Sequence, residues 1–252
     1  MQHALNHGII DLFSYFNDVP NFMQTHHIQP KNFLAEAIQN EIQQLSLDVP
    51  DKVIPELAAY ARILWSWNDR LNLTRHTEVQ QFVQRDVTDT AAICPHIKTN
   101  ERVLDVGTGG GVPGVVLAIL RSDLAVELSD TSAKRIAALK SILDELGLSL
   151  TVHHKPAQQV VLDTNGQGCS FDTLVVRAVA PLQKLLTWFE PISSSYGRLL
   201  VIKGPRWEAE KQESRHRGFL KKVTARRIAN WPIPGSDTES VLLEIKKRKN
   251  SR

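Results

Sequence analysis

The sequence predicts an α/β fold: a mostly parallel seven-stranded sheet that ends in an antiparallel hairpin and is preceded by a helical segment. Three observations carry that prediction. From Arg102 onward, short β-branched runs alternate with apolar helical runs, the pattern of βαβ units. One strand-to-helix junction, Val103 to Gly114 (V-L-D-V-G-T-G-G-G-V-P-G), places four glycines in five positions. The last two β-like stretches have no helical run between them, so they pair as an antiparallel edge hairpin.

Taken in order, residues 1–30 are rich in Asn, His and Gln with scattered aromatics (Phe13, Tyr15, Phe16, Phe22), and read as a poorly ordered extension. Met23 inside it offers a later biological start. Residues 31–100 read as a helical segment packed on the core. Phe33, Leu34, Ala37, Ile38, Ile42 and Leu45 recur at the spacing of one helix face, and Pro50 and Pro55 interrupt the pattern. A second amphipathic run, Leu57 to Trp67, leads into Trp67-Asn68-Asp69-Arg70-Leu71-Asn72-Leu73-Thr74-Arg75. Trp65 and Trp67 read as core packing. Asn72 and Thr74 are polar in an otherwise apolar stretch, so they either cap a turn or reach a ligand, because buried polar groups need partners. A third helical run, Phe82 to Ile97, carries Asp86 and Asp89 on one face. That spacing suits a catalytic carboxylate pair or a metal site, but no His or Glu supports it, and a solvated or hydrogen-bonded face is preferred.

Residues 101–247 form the main domain. A strand at Arg102–Val106 enters the glycine turn, and a helix over Pro113–Arg121 leaves it. Glycine lets the backbone take positive φ and approach a ligand with no Cβ between them. The free N–H groups and positive dipole of the following helix face the turn, and Pro113 suits its first position. Such a turn holds a nucleotide-like ligand; a purely structural turn is the weaker alternative, since glycines are entropically expensive to fold. Two patterns overlap in it. Gly109, Gly111 and Gly114 satisfy the G-x-G-x-x-G of dinucleotide binding. Asp105, Gly107, Gly109 and Gly111 satisfy the D-x-G-x-G-x-G expected of class I methyltransferases that bind S-adenosylmethionine, where the carboxylate can meet the ligand's cationic amino end.

Beyond the turn, a strand is predicted over Ala125–Ser129 and a helix from Ser132, as N-cap, to Leu146, stopped by Gly147. Strands follow at Leu150–His154 and Thr173–Arg177, then a helix at Leu182–Phe189 and a strand at Arg198–Lys203. A charged helix over Trp207–Arg217 precedes the closing β segments, Lys222–Trp231 and Ser240–Lys246. Residues 248–252 read as a basic tail. The closing hairpin favours a methyltransferase over a dehydrogenase, whose second half repeats the βαβ unit. Ligands bind outside the C-terminal ends of parallel strands, which singles out Asp105, Asp130, Lys155, Arg177 and Lys203. Asp130, about 25 residues past the glycines, is placed to accept from ribose hydroxyls, or else forms a turn. Arg177 closes an apolar strand and needs an anionic partner, either at the site or in a peripheral ion pair.

A chain of 252 residues buries enough surface to need no staples. No run approaches the roughly 18 apolar residues of a membrane span. Cys94 and Cys169 lie far apart without a C-x-x-C, so neither a disulfide nor a metal is expected and a reducing cytoplasm is. No Lys or Arg precedes Lys31, unlike a secretory n-region. A monomer is expected. The net charge is only +3, but between Lys203 and Arg227 nine cations face three carboxylates. Such clustering suits a polyanion, or else a solvated helix face.

The Trp67-Asn68…Asn72-Leu73-Thr74 element joined to D-V-G-T-G-G-G-V-P-G, with Asp130, Lys134-Arg135, Arg177-Ala178 and Lys203-Gly204, resembles the RsmG family, also called glucose-inhibited division protein B. The resemblance runs from about Leu45 to Lys246. It implies a class I, Rossmann-like fold and transfer of a methyl group from S-adenosylmethionine to N7 of a guanine, position 527 in the family, in the 530 loop of 16S rRNA. It also implies 16S rRNA or the small ribosomal subunit as partner. Gly107, Val112, Pro156, Ala157 and Arg177 match the family's cofactor-contacting positions. The chain departs from the family at Asp86, where His is usual, and at Lys155-Pro156-Ala157, where Arg-(Ala/Val)-Glu is usual. A third departure is Glu239-Ser240, where an Arg is usual. The first and third weaken RNA contacts there; the second leaves backbone contacts to an adenine.

Guanine N7 carries a lone pair at neutral pH, so alignment and water exclusion suffice and no general base is needed. Arg177 and Asn72 are expected to line the reaction site, with a cation near O6 and N7 holding the base. Lys203, Arg206 and Arg75 are expected to contact RNA. The rival readings are a small-molecule methyltransferase, a nicotinamide-dependent oxidoreductase using the glycine turn, and a non-catalytic RNA-binding module.

Overall fold

The computed structural model describes residues 30–163 and 171–248. The expected extension over residues 1–30 lies outside them apart from Pro30, as do Cys169 and all of the expected tail except Arg248. Seven strands form one sheet in the order β3-β2-β1-β4-β5-β7-β6. They are β1 Arg102–Val106, β2 Ala125–Ser129, β3 Thr151–His153, β4 Phe171–Arg177, β5 Tyr196–Lys203, β6 Val223–Pro232 and β7 Glu239–Lys247. The first five are mutually parallel. β7 runs antiparallel to both β5 and β6, which closes the sheet with the expected hairpin.

Side chains on a strand alternate between faces, and both faces of this sheet are apolar. Val103, Val175, Leu200 and Ile202 point into one core, while Leu104, Leu174, Val176, Leu199 and Val201 point into the other. The first core is covered by α1 (Pro30–Gln44), α2 (Ile54–Leu71), α5 (Gly114–Leu120) and α6 (Ala133–Leu146). The helical segment ahead of β1 is thus part of the main core: Ile38, Leu57, Tyr60, Ala61 and Leu64 are inaccessible to solvent. Full burial of each such leucine or isoleucine contributes about 1.5–3 kcal/mol. The second core is covered by α7 (Ala157–Asp163) and α8 (Leu182–Phe189).

Local signals set most boundaries. Ser132 caps α6 by accepting from the Arg135 N–H at 3.4 Å, and Gly147 ends it in the left-handed region at φ 69°. Pro55 does not break the helical pattern as expected; it sits in the first turn of α2, where a missing donor is tolerated. Helix α7 was not expected; it forms over Ala157–Asp163 and buries Ala157, Val160 and Val161. The Phe82–Ile97 run begins earlier, at α3 (Val79–Gln81), and passes through a π-helical stretch, Phe82–Val87, into α4 (Thr88–Ile93). α9 (Trp207–His216) lies between β5 and β6.

Candidate active site

The glycine turn emerges from the C-terminal end of β1, next to β4 at the middle of the sheet. Gly107, Gly109 and Gly111 all take positive φ, at 67°, 59° and 113°. Gly109 shows the functional use: a Cβ there would meet nothing within 4 Å, so the turn leaves open space above its backbone. Gly110 is required for packing instead. A Cβ there would lie 2.8 Å from Leu64 and 3.2 Å from Leu73. The turn is braced from below by Tyr60, whose buried hydroxyl donates to the Gly110 carbonyl at 3.0 Å.

Two carboxylates shape the turn. Asp105 is 1% exposed, and its Oδ2 accepts from the Gly114 N–H at 2.8 Å, anchoring the start of α5. Its Oδ1 is buried with no hydrogen-bond partner among the described residues, as is the neighbouring Thr108 hydroxyl. Burial pushes the Asp105 carboxyl up to about 6, against the pull of the nearby Thr108 hydroxyl, which lies outside hydrogen-bond geometry, of the Gly114 N–H and of the Arg177 charge. Asp130 divides its oxygens: Oδ2 accepts from the Gly109 N–H at 3.0 Å and Oδ1 from the Ser132 N–H at 2.8 Å. Asp130 therefore forms the turn ahead of α6, and it also lines a cavity.

That cavity, of about 600 Å³, is walled by Gly107, Asp130, Lys155, Pro156, Ala157 and Trp188, among others. A second cavity, of about 350 Å³, contains Asp89, Arg177, Lys203, Arg206, Glu210 and Ser240 in its walls. Ala178 and Val179 belong to both, so the two spaces adjoin across the chain that leaves β4. Ala178 takes φ 55° there, an uncommon conformation for a residue with a Cβ.

The W-N…N-L-T stretch is the scaffold beside this arrangement. Asn68 Oδ1 accepts from the Thr74 N–H at 2.8 Å, and Thr74 Oγ1 accepts from the His76 N–H at 3.0 Å. Trp65 Nε1 donates to the His76 carbonyl at 2.8 Å and packs edge-on against Phe82. Asn72 ends α2 at φ 47° with its side chain exposed, and it lines neither cavity. Expected to line the reaction site, it closes a turn instead, and it is Leu73 beside it that meets the glycines. Arg75 is exposed and also lines neither cavity.

Arg177 finds its anionic partners at the site. Nη2 donates to Asp86 Oδ1 at 2.6 Å and Nη1 to Asp89 Oδ2 at 3.3 Å. Burial works against the guanidinium charge, but Asp86 and Asp89 outweigh it and hold its pKa above the ordinary arginine value. The chain of contacts continues on both sides. His76 Nδ1 lies 2.8 Å from Asp86 Oδ1, and Trp231 Nε1 donates to Asp89 Oδ1 at 3.0 Å. Asp86 and Asp89 are 0% and 2% exposed, so the alternative of a solvated face is corrected; the hydrogen-bonded one holds. The π-helical stretch turns Asp86 toward Arg177, a use to which such stretches are often put at functional sites.

Lys203, expected to contact RNA, is held by protein partners at the edge of the second cavity. Its side chain is 11% exposed, and Nζ donates to Glu210 Oε2 at 2.7 Å and to the Ala180 carbonyl at 2.9 Å. It forms part of the second cavity's wall, while Arg206 stays exposed at the same cavity. Val112 packs partly buried against the first core. Sequence reasoning missed Trp188 and Glu210. The mixed charge of α9 held a weak signal for Glu210; the core-like spacing of α8 held none for Trp188.

A parallel sheet whose last strand is inserted antiparallel, with a glycine-cradled cavity at its centre and a second cavity adjoining, defines a class I methyltransferase dependent on S-adenosylmethionine. Sequence comparison narrows the class. The model of the family described as "GidB: rRNA small subunit methyltransferase G" matches residues 53–232, and the chain belongs to that family. A ribosomal RNA small subunit methyltransferase G of Rhodopirellula baltica is 39% identical over 192 residues, covering 76% of this chain and 81% of the relative. Proteins of the same name from Chlorobium chlorochromatii and Yersinia enterocolitica are 31% and 33% identical, covering 78% and 70% of this chain and 84% of each relative. Family membership sets aside the oxidoreductase reading of the glycine turn.

Proposed function

We propose that this methyltransferase modifies N7 of a guanine in the 530 loop of 16S rRNA, acting as a monomer in the cytoplasm on rRNA of the small ribosomal subunit. The observation that carries the reading is the pair of adjoining cavities, one at the glycine turn and one lined by polar and charged side chains. Between them they offer separate places for donor and acceptor. Membership of a family whose named relatives methylate small-subunit rRNA supplies the substrate class.

S-adenosylmethionine fits the glycine turn beside the first cavity on two counts, although Asp105, Thr108 and Gly109 themselves line neither cavity. Asp105 Oδ1 and Thr108 Oγ1 are buried polar atoms without partners, and Gly109 leaves open space above the turn. We assign Asp105 to the cofactor's ammonium group, Asp130 to its ribose hydroxyls, and the walls at Pro156, Ala157 and Trp188 to its adenine. Gly107, Gly109 and Gly111 let the backbone approach it, and Val112 and Arg177 support the turn and the reaction chamber. When bound, the cofactor supplies an electrophilic methyl group on a sulfonium. The protein's task is to present N7 to it in line and dry. Arg177 has its charge matched by two carboxylates, which leaves the N7 lone pair uncontested. A bare guanidinium donating to N7 would occupy the electron pair that must attack.

Exposed Arg206, Arg215, Lys221 and Arg226, on and between α9 and β6 and just ahead of α9, supply a cationic surface for phosphates. Labelled S-adenosylmethionine incubated with small subunits lacking the modification tests the proposal, with 7-methylguanine mapped in the 530 loop. Absence of label from 16S rRNA overturns it.

A further inference from the structure

We propose that Glu210 and Lys203 read the acceptor base, with the Glu210 carboxylate taking the N1–H and N2–H donors of guanine and the Lys203 ammonium donating to O6. The inference rests on the second cavity being the acceptor site. The cavities adjoin at Ala178 and Val179, so N7 must face that junction. The N1 and N2 edge of the purine then lies within the second cavity, whose walls include Lys203 and Glu210.

The polar groups of this cavity differ in what they have left to give. Asp89 has both oxygens engaged, by Trp231 and by Arg177. Glu210 has both of its protein contacts on one oxygen: Oε2 accepts from Lys203 Nζ and from the Leu182 N–H, each at 2.7 Å. Its Oε1 has no partner among the described residues. Lys203 Nζ spends two of its three donors, on Glu210 and the Ala180 carbonyl, leaving one. At 24% and 11% side-chain exposure, the two groups are partly withdrawn from water, where a charged hydrogen bond counts for more.

An acceptor set beside a donor is the complement of guanine. Guanine carries two donors, N1–H and N2–H, next to the O6 acceptor. Adenine presents an acceptor at N1 and a donor at C6, so both contacts turn repulsive. Contacts of this kind discriminate between bases by about tenfold to hundredfold.

The test uses full-length enzyme, labelled S-adenosylmethionine and small subunits carrying guanine, inosine or adenine at the acceptor position. Wild-type enzyme is expected to lose about tenfold in kcat/KM on inosine, which keeps N7 and O6 but lacks the N2 amino group. Equal rates on guanine and inosine would overturn the proposal. Glu210→Gln keeps the shape and the acceptor for Leu182 but removes the charge. It is expected to lower kcat/KM on guanine by about tenfold to hundredfold and to shift the preference toward adenine by at least about tenfold. Cofactor affinity should stay at the wild-type value. A uniform loss on both bases with unchanged preference would reduce Glu210 to a support for Lys203 and overturn the assignment. The inosine arm needs no variant, so it decides even if the substitution fails to fold. No labelling of guanine by the wild-type enzyme would remove the parent reading, an outcome separate from any change of preference.

Discussion

Asp105→Asn separates the cost of a buried carboxylate from its use. The carboxyl is 1% exposed and titrates at about 6, against 3.8 for an unburied aspartate. At 1.36 kcal/mol per tenfold change in proton affinity, that displacement is about 3 kcal/mol. Its sign is opposite to that of an aspartate in an ion pair. Below about pH 4 the group is protonated in folded and unfolded chains alike. Between about pH 4 and 6 the folded chain keeps a proton that the unfolded chain has released, so stability falls as pH rises. Above about pH 7 the full penalty stands. Asparagine retains an oxygen for the Gly114 N–H but carries no charge, and its amide strands a buried donor at a cost of about 1–3 kcal/mol at every pH. The stability of the variant relative to wild type should therefore climb by about 3 kcal/mol between pH 4 and 7.5, whatever its starting value. Urea unfolding across that range measures it. Calorimetry with S-adenosylmethionine completes the experiment, with at least about tenfold weaker binding expected once the ammonium loses an anionic partner. A stability difference that stays flat with pH, or undiminished cofactor affinity, would refute the reasoning.

Arg177→Ala strands Asp86 and Asp89 as buried carboxylates, so a loss of about 3–5 kcal/mol in chemical unfolding is expected, together with a strong fall in turnover; unchanged methylation would sink its place at the site. Tyr60→Phe removes the donor to the Gly110 carbonyl and should cost about 1–2 kcal/mol while weakening cofactor binding, read by Tm and calorimetry side by side. Substrate binding through exposed Arg206, Arg215, Lys221 and Arg226 should weaken steeply between 50 and 200 mM salt, by about tenfold or more if several phosphate contacts form. Insensitivity to salt in a filter-binding assay would take RNA off that face.

Most of the sheet was legible because parallel strands write themselves as continuous β-branched runs. β1 and β2 fall on the expected residues, and the antiparallel pairing of β6 with β7 follows from the missing helix between them. The glycine turn was legible because positive φ and close packing leave few alternatives to glycine. Partner choice was not. Arg177 demanded an anion, but nothing local says that Asp86 and Asp89, 91 and 88 residues away, would supply it. Asn72 misled for a related reason: a polar residue among apolar ones reads as reaching inward, when left-handed backbone at a helix end accounts for it. The partner of Lys203 was hidden in the same way, because its neutralising carboxylate, seven residues on, comes within reach only when the chain turns from β5 into α9.

The line of contacts from His76 through Asp86, Arg177 and Asp89 to Trp231 has a consequence for dissecting the molecule. It fastens the helices ahead of the sheet, the centre of the sheet and its far edge to one cation. The helical segment is thus a counter-charge for Arg177 as well as a cover. Removing residues before β1 would leave an arginine with its charge exposed at the heart of the enzyme and the apolar face of the sheet bare. A graft of this sheet onto another leader would need to bring two carboxylates with it.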